Sequence, residues 1–277
     1  MNEYGIPEVF ESEAVGRLKV IYQDIKFVLK IPVVNFIFRT LANYPEFLEI
    51  AWNQVRPNML TVNMEEAAKH LRYPNISAQV PDLNWNNYDD RKIQQQIEAI
   101  LTVFNYVNPK LLLIASAWEE ALSDRPIVPK KKSNGFLAPG IIQGFPSIEL
   151  VHIPHVDPYM KDLLKDVAQA HHTYDVASDY RTLAKFPHFL GGIWPSLKTY
   201  IQGNEYQLLS AQLKSQSVQL IQREAPYPVH ISKHQLKQIY EPSQIAGIMG
   251  LVAFFQSFLP GLIIEGEYMR RSLIRPH

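Results

Sequence analysis

Apolar side chains at Val15, Leu18, Ile21, Tyr22, Ile25, Val28 and Leu29 recur three and four apart, the spacing of a helix with one buried face. Pro32 predicts its end. A second helix is expected from near Val34 through Arg39-Thr40-Leu41-Ala42. After Pro45, the positions Phe47, Leu48, Ala51 and Trp52 read as the face of a third. Met59 to Leu71 reads as another helix, on which Thr61 and Glu65, at i and i+4, share a face. Residues 74–89, rich in Pro, Asn and Asp, predict a loop. From Asp90 a long stripe runs through Ile93, Ile97, Ile100, Leu101 and Phe104. It meets Asn105-Tyr106-Val107-Asn108-Pro109 and continues as an apolar run from Leu111, with Pro109 expected to kink or divide the helix.

The stretch 125–150 breaks this pattern. Arg125-Pro126, Pro129-Lys130-Lys131-Lys132, Asn134-Gly135, Pro139-Gly140 and Gly144 are turn formers without a period, so a linker is expected and its lysines read as solvated. The helical pattern restarts at Asp157-Pro158, an N-cap followed by proline at the first helical position. Its stripe is Met160, Leu163, Leu164, Val167 and Ala170, which lie 142 positions after Leu18, Ile21, Tyr22, Ile25 and Val28. The same shift carries Asp24 to Asp166, Arg39-Thr40-Leu41-Ala42 to Arg181-Thr182-Leu183-Ala184, Pro45 to Pro187 and Trp52 to Trp194. The register holds without a gap from about Leu18 to Trp52, so the chain reads as a duplicated unit. Leu251 to Ile264 with Pro260 loosely echoes Leu101 to Ile114 with Pro109. No series of alternating strands is visible. The expected fold is all-α, two homologous helical repeats (1–124 and 151–277, joined by 125–150) packed as an internal pseudo-dimer, with a ligand site where they meet.

Composition narrows the class. With 47% hydrophobic and 19% charged residues over 277 positions, the chain should bury an ample core. Lys+Arg and Asp+Glu both number 27, which gives no electrostatic case for nucleic acid or an anionic membrane. Absence of cysteine excludes disulfides, thiol nucleophiles and cysteine-ligated metal. Together with a start, Met1-Asn2-Glu3-Tyr4-Gly5, unlike a signal peptide, it leads to an expected cytoplasmic location. Ile245 to Ile264 is the most lipid-like stretch. Gln256, Ser257 and Pro260 interrupt it and Glu265 follows, so a buried helix is expected rather than a membrane span.

The candidate chemistry follows from a contrast between the repeats. Ser178 or Asp179 alone would read as an N-cap for Tyr180-Arg181-Thr182-Leu183. The first half, however, has Phe36-Ile37 at the same register, so no polar cap is required there. A carboxylate was placed in one half only, and a buried carboxylate is costly unless paired or put to use. Asn105 and Asn108 interrupt an apolar helix, either to cap groups freed by Pro109 or to supply an amide to a pocket. Thr61 and Glu65 are either surface residues or a means of bringing a second carboxylate near Asp179, which would raise its pKa. His152-Ile153-Pro154-His155 is broken by proline and no metal site is expected. His171-His172 reads as a helix end facing the dipole. Nucleophile-elbow, phosphate-loop and zinc-helix motifs are missing.

Three segments carry a resemblance: Lys30-Ile31-Pro32 through Arg39-Thr40-Leu41-Ala42 to Ala51-Trp52; Phe104-Asn105-Tyr106-Val107-Asn108-Pro109-Lys110 with the leucines behind it; and Ala177-Ser178-Asp179-Tyr180. In order and spacing they resemble the group I 2-haloacid dehalogenases of the DehI type, which act on both enantiomers. The resemblance implies an all-helical enzyme of two repeats that needs no cofactor and takes a small halogenated carboxylic acid and water. It implies that Asp179 activates a water that attacks C2 directly, so that halide leaves with inversion and no ester forms. Asn108 matches an active-site asparagine that holds water or substrate, Thr61 and Glu65 match positions implicated in catalysis, and Phe36 and Ser178 match pocket positions. This chain departs from characterised members at Val33, where they have tryptophan, at Val107, where they have glycine, and at Leu111, where they have tyrosine; Val33 and Leu111 are expected to shape the pocket. One site on a pseudo-symmetric seam would accept either enantiomer by moving the halide and keeping the water fixed. The expected function is a 2-haloacid dehalogenase. A hydrolase of another small carboxylic acid and a non-catalytic helical binding protein are the alternatives, and monomer and homodimer are both open.

Overall fold

The computed structural model describes residues 7–81, 83 and 91–273. Among them are eleven α-helices and two isolated β-bridges, Thr61 with Phe136 and Ile127 with Val229, but no strand. The first half forms α1 (Gly16–Leu29), α2 (Phe36–Leu41), α3 (Pro45–Met59), α4 (Val62–Leu71) and α5 (Arg91–Leu122). The second forms α6 (Pro158–Ala170), α7 (Ser178–Leu183), α8 (Pro187–Ile201), α9 (Asn204–Glu224), α10 (Lys233–Lys237) and α11 (Pro242–Leu273).

The helix limits follow local chemistry. Asp157 caps α6, its carboxylate accepting from the Met160 N–H at 3.0 Å, and Pro158 occupies the first turn. Pro45 and Pro187 open α3 and α8 in the same way. Lys30 closes α1 in a left-handed conformation. The 142-residue register recurs in these limits: α2 and α7, and α3 and α8, start and stop at equivalent positions. So does a tertiary bond. Trp52 Nε1 donates to Asp24 at 2.7 Å and Trp194 Nε1 to Asp166 at 2.8 Å.

Three expectations are corrected. The segment from Met59 to Leu71 is not one helix: α3 ends at Met59, and Thr61 caps α4, accepting from the Met64 N–H at 3.3 Å. The linker causes the break, since Val62 N donates to Gly135 O and Leu137 N to Leu60 O. Pro109 does not divide α5, which runs unbroken for 32 residues and is buried from Val107 to Trp118. Packing on all sides holds a helix that lacks one backbone bond. Ser178 and Asp179 are not the N-cap of α7. Ala177 is, and no side chain caps it. Of the expected loop at 74–89, residues 74–81 and 83 carry neither helix nor strand, and the remainder lies outside the described residues, as does Asp90.

At the centre α5 packs against α11, the largest contact between elements, with α9 on both. Of these, α5 and α11 are long and apolar enough to cross a membrane by composition, and much of each is buried inside the protein. The two short helices cross over: α7 of the second half packs on α5 of the first, and α2 of the first packs on α11 of the second. Their first turns therefore meet. Beneath them Glu8 lies between two buried guanidinium groups, accepting from Arg39 Nε at 2.7 Å and from Arg181 Nη2 at 2.9 Å.

Phe38 on α2 is fully buried between Trp52 and Trp118, its ring edge-on to both. Phe38→Ala should lower the unfolding free energy by about 3–5 kcal/mol. In urea titration, Phe136→Ala, at a side chain 65% exposed, should stay within about 0.5 kcal/mol of the parent.

Candidate active site

Where α2 and α7 cross α11 and α5, a narrow cavity with room for about one water lies between the halves. Its polar wall is Asp179 and Ser178 on α7, Asn108 on α5, and Asn35 before α2. The remainder is apolar, with Phe36, Leu111, Phe255, Phe258, Leu259 and Leu262 facing Asp179. Phe36 meets Phe255 edge-on, the centroids 5.3 Å apart, which closes the wall between α2 and α11. The lining contains no lysine, arginine or histidine.

Asp179 is 3% exposed and accepts a hydrogen bond from Asn108 Nδ2 to its Oδ2 at 2.7 Å. Burial pushes its carboxyl up to about 7, partly offset by the Asn108 bond and its own backbone N–H. The Asn108 amide is thus committed to Asp179 and does not cap groups freed by Pro109. Asn108 Oδ1 is buried and has no partner, and neither has Asn35 Oδ1. Ser178 Oγ accepts from Arg39 Nη1 at 3.2 Å, so its own proton is free to point elsewhere.

The structure brings together Asp179, Asn108, Phe36, Ser178 and Leu111 around this cavity, and does not bring Thr61, Glu65 or Val33 to its lining. Thr61 is buried as the cap of α4 and donates to Asn58 O at 2.7 Å. Val33 is buried in the core. Glu65 Oε2 meets Lys110 Nζ at 2.7 Å and the Tyr106 hydroxyl at 3.0 Å. Burial alone would raise its carboxyl, but Lys110, Tyr106 and Arg72 outweigh that and hold it below the ordinary range. Burial in turn lowers the Lys110 ammonium to about 8.

The expectation that Glu65 is the carboxylate acting on Asp179 is therefore corrected. That carboxylate is Glu265 on α11, fully buried, whose charge works against ionisation of Asp179. Glu265 accepts from His171 Nε2 at 2.8 Å and from the hydroxyls of Tyr180 and Tyr206. The one sequence signal for it was a glutamate at the end of the most apolar run of the chain.

A narrow cavity in an all-helical protein, walled by apolar side chains, one carboxylate that burial raises to about 7 and one amide bonded to it, defines a site for general-base chemistry on a small molecule. Residues 32–180, more than half of the chain, match the family described as halocarboxylic acid dehydrogenase DehI, and the chain belongs to that family. A configuration-inverting 2-haloacid dehalogenase of Alcaligenes xylosoxydans xylosoxydans is 28% identical over 276 residues, covering 95% of this chain and 92% of that one. Another, from Pseudomonas sp. (strain 113), is 26% identical over 272 residues, covering 93% and 88%. Among solved structures, a D-2-haloacid dehalogenase mutant in complex with D-2-CPA superimposes with a TM-score of 0.88 at 25% identity, over 99% of this chain and 98% of that one. A complex of D-2-haloacid dehalogenase with L-LA gives 0.87 at the same identity and coverage.

A carboxyl raised by folding makes stability fall as pH rises. Below about pH 4 both states are protonated and nothing is lost; between about 4 and 7 the unfolded state releases the proton first, and the loss is complete above 7. Asp179→Asn should therefore melt above the wild type at pH 8, with the gap closing towards pH 4 in paired calorimetric scans. A gap independent of pH would count against the buried, raised carboxyl.

Proposed function

We propose that this protein is a hydrolytic dehalogenase of short 2-haloalkanoic acids, in which Asp179 deprotonates a water that displaces halide at C2 with inversion. The named activity of its relatives and its family membership support this reading. The observation that carries the residue roles is the Asp179–Asn108 pair with an unpartnered acceptor beside it.

The Asn108 amide fixes one oxygen of Asp179 and leaves other lone pairs free for a proton. Asn108 Oδ1 is then a second acceptor within the same cavity. A water that donates one hydrogen to Asp179 and the other to Asn108 Oδ1 has its lone pair aimed away from both, into the cavity. Its oxygen bonds to C2 as the carbon–halogen bond breaks from the opposite side. The proton goes to Asp179 and then to solvent, and the halogen leaves with the bonding electrons. Water and acid balance this step without a cofactor, and we assign none. Excluding bulk water is the work of Phe36, Leu111 and the α11 side chains. Ser178, whose oxygen is occupied by Arg39, presents its proton as a donor for a substrate anion.

Thr61 and Glu65 serve the site indirectly in this reading. Thr61 sets the start of α4, and Glu65 holds Lys110 on α5, two residues beyond Asn108. Val33 packs behind the wall. The halves 1–124 and 151–277 act as repeats of a pseudo-dimer with the site on their seam, a reading supported by the shared 142-residue register and the crossed packing of α2 and α7.

Halide release from D- and L-2-chloropropionate, assayed separately, tests the proposal. With either active enantiomer, kcat/KM should rise tenfold per pH unit and level off above about pH 7, as Asp179 ionises. Asp179→Asn should cost about 10²–10⁴-fold in kcat and Asn108→Ala about 10²-fold. An undiminished Asp179→Asn would sink the assignment.

A further inference from the structure

Next to Asp179 in the fold lies a largely buried polar cluster. Glu265 on α11 is its centre. His171 closes α6, with Nδ1 against Val167 O at 2.8 Å and Nε2 against Glu265 Oε1 at 2.8 Å. Tyr180, the residue after Asp179 on α7, and Tyr206 on α9 both donate to Glu265. Gly261, one turn before Glu265, makes the last contact possible, because a Cβ there would lie 2.2 Å from the Tyr206 hydroxyl. The His171 ring meets Phe258, a cavity wall residue, edge-on at 5.6 Å.

Both ring nitrogens of His171 face atoms that accept only, a carbonyl and a carboxylate. Both bonds form together when the ring carries two protons, which makes it an imidazolium. Burial would discharge it, but Glu265 and the Val167 carbonyl outweigh burial and hold its pKa above the ordinary histidine value. Glu265 is likewise held ionised by His171 and the two tyrosines against the effect of burial.

The first half builds the same positions without charge. At the 142-residue register His171, Tyr180 and Tyr206 correspond to Leu29, Phe38 and Met64. Helices α5 and α11 are both 32 residues long, with Pro109 and Pro260 at the same place, and in that alignment Glu265 corresponds to Ile114. The cluster is thus not needed to pack the repeat. It occurs only in the half where Asp179 replaces Ile37.

We infer that His171 and Glu265 are positioning residues of the reaction: the buried imidazolium screens Asp179 from the Glu265 carboxylate, while Glu265 anchors Tyr180 and with it the turn that presents Asp179. The inference rests on the proposed dehalogenation for its purpose, but its physical content is the charge coupling. The charged or titratable groups facing His171 are Asp179 and Tyr180 from α7 and Glu265 from α11, with Tyr206 of α9 reached through Glu265.

The coupling has a signature that structural damage does not mimic, because the shift made by neutralising His171 is undone by neutralising Glu265 as well. The experiment follows the side-chain carboxyl carbon of Asp179 by NMR titration in protein labelled at aspartate, with Asp179→Asn identifying the signal. His171→Gln should raise the Asp179 midpoint by about one pH unit, while Glu265→Gln, which removes the carboxylate and with it the support for the imidazolium, and the double variant should both stay near the wild type. The acid limb of kcat/KM should move in the same way. Should His171→Gln not fold, His171→Asn, read against its own double variant with Glu265→Gln, tests the same coupling. No rise in the single histidine variant, or a rise that persists in the double variant, would overturn the inference. The titration is read without substrate, so a wild type that releases no halide would sink the dehalogenase reading and leave the coupling standing on its own result.

Discussion

Burying Asp179 is the constraint on which the rest of the structure depends. An isolated carboxylate taken out of water costs several kcal/mol, and a protein answers by supplying donors or by letting the group hold its proton. Two carboxylates here are equally buried and take opposite routes. Glu265 receives an imidazole and two hydroxyls and stays ionised. Asp179 receives one side-chain amide and titrates near 7. The number of donors, not the depth of burial, separates an inert buried charge from one able to exchange a proton at neutral pH.

Holding one under-solvated carboxylate requires rigid surroundings, and these come from the crossing of the short helices. Because α7 rests on α5, Asp179 and Asn108 meet from opposite halves. The crossing is fastened by Glu8 between Arg39 and Arg181. The two arginines are equivalent by register, and each also donates to an equivalent carbonyl, Val34 O and Val176 O. Arg181 Nη2 has a further partner in Asp175, whose equivalent is Val33, and the corresponding Arg39 Nη2 has none; Arg39 Nη1 reaches Ser178 as well as Val34 O. The asymmetry at the site thus comes down to a short list of differences between positions 142 residues apart.

Much of this frame was legible in the sequence. Apolar stripes and prolines marked the helices, and Asp157-Pro158 marked the start of α6. The ungapped register exposed Asp179 by contrast with Ile37. What escaped was whatever depended on a contact distant in sequence. The break at Leu60-Thr61 carries neither glycine nor proline and is made by the linker strapped across it. Glu65 read either as a surface residue or as a second carboxylate near Asp179, but Lys110, next to Pro109 in sequence, claims it. His171 read as a helix end, and nothing in the sequence pointed from it to Tyr180 or Tyr206. Only the fold shows that all three converge on Glu265.

The electrostatics of the cavity explain why its charged neighbours stand one layer back. In the proposed reaction the substrate is an anion, and binding it beside Asp179 would add negative charge where the base must ionise. A lysine or arginine on the cavity wall would help binding but would also pair with Asp179 and lower its pKa, weakening the base. The lining has no such residue. Arg39 acts through the Ser178 hydroxyl, and the His171 ring lies behind Phe258 with its charge matched by Glu265. Cationic influence delivered through a neutral donor or across an aromatic ring falls short of an ion pair, so the carboxylate keeps its basicity and the anion still meets a favourable wall. A site built on one poorly solvated aspartate has little room for any other arrangement.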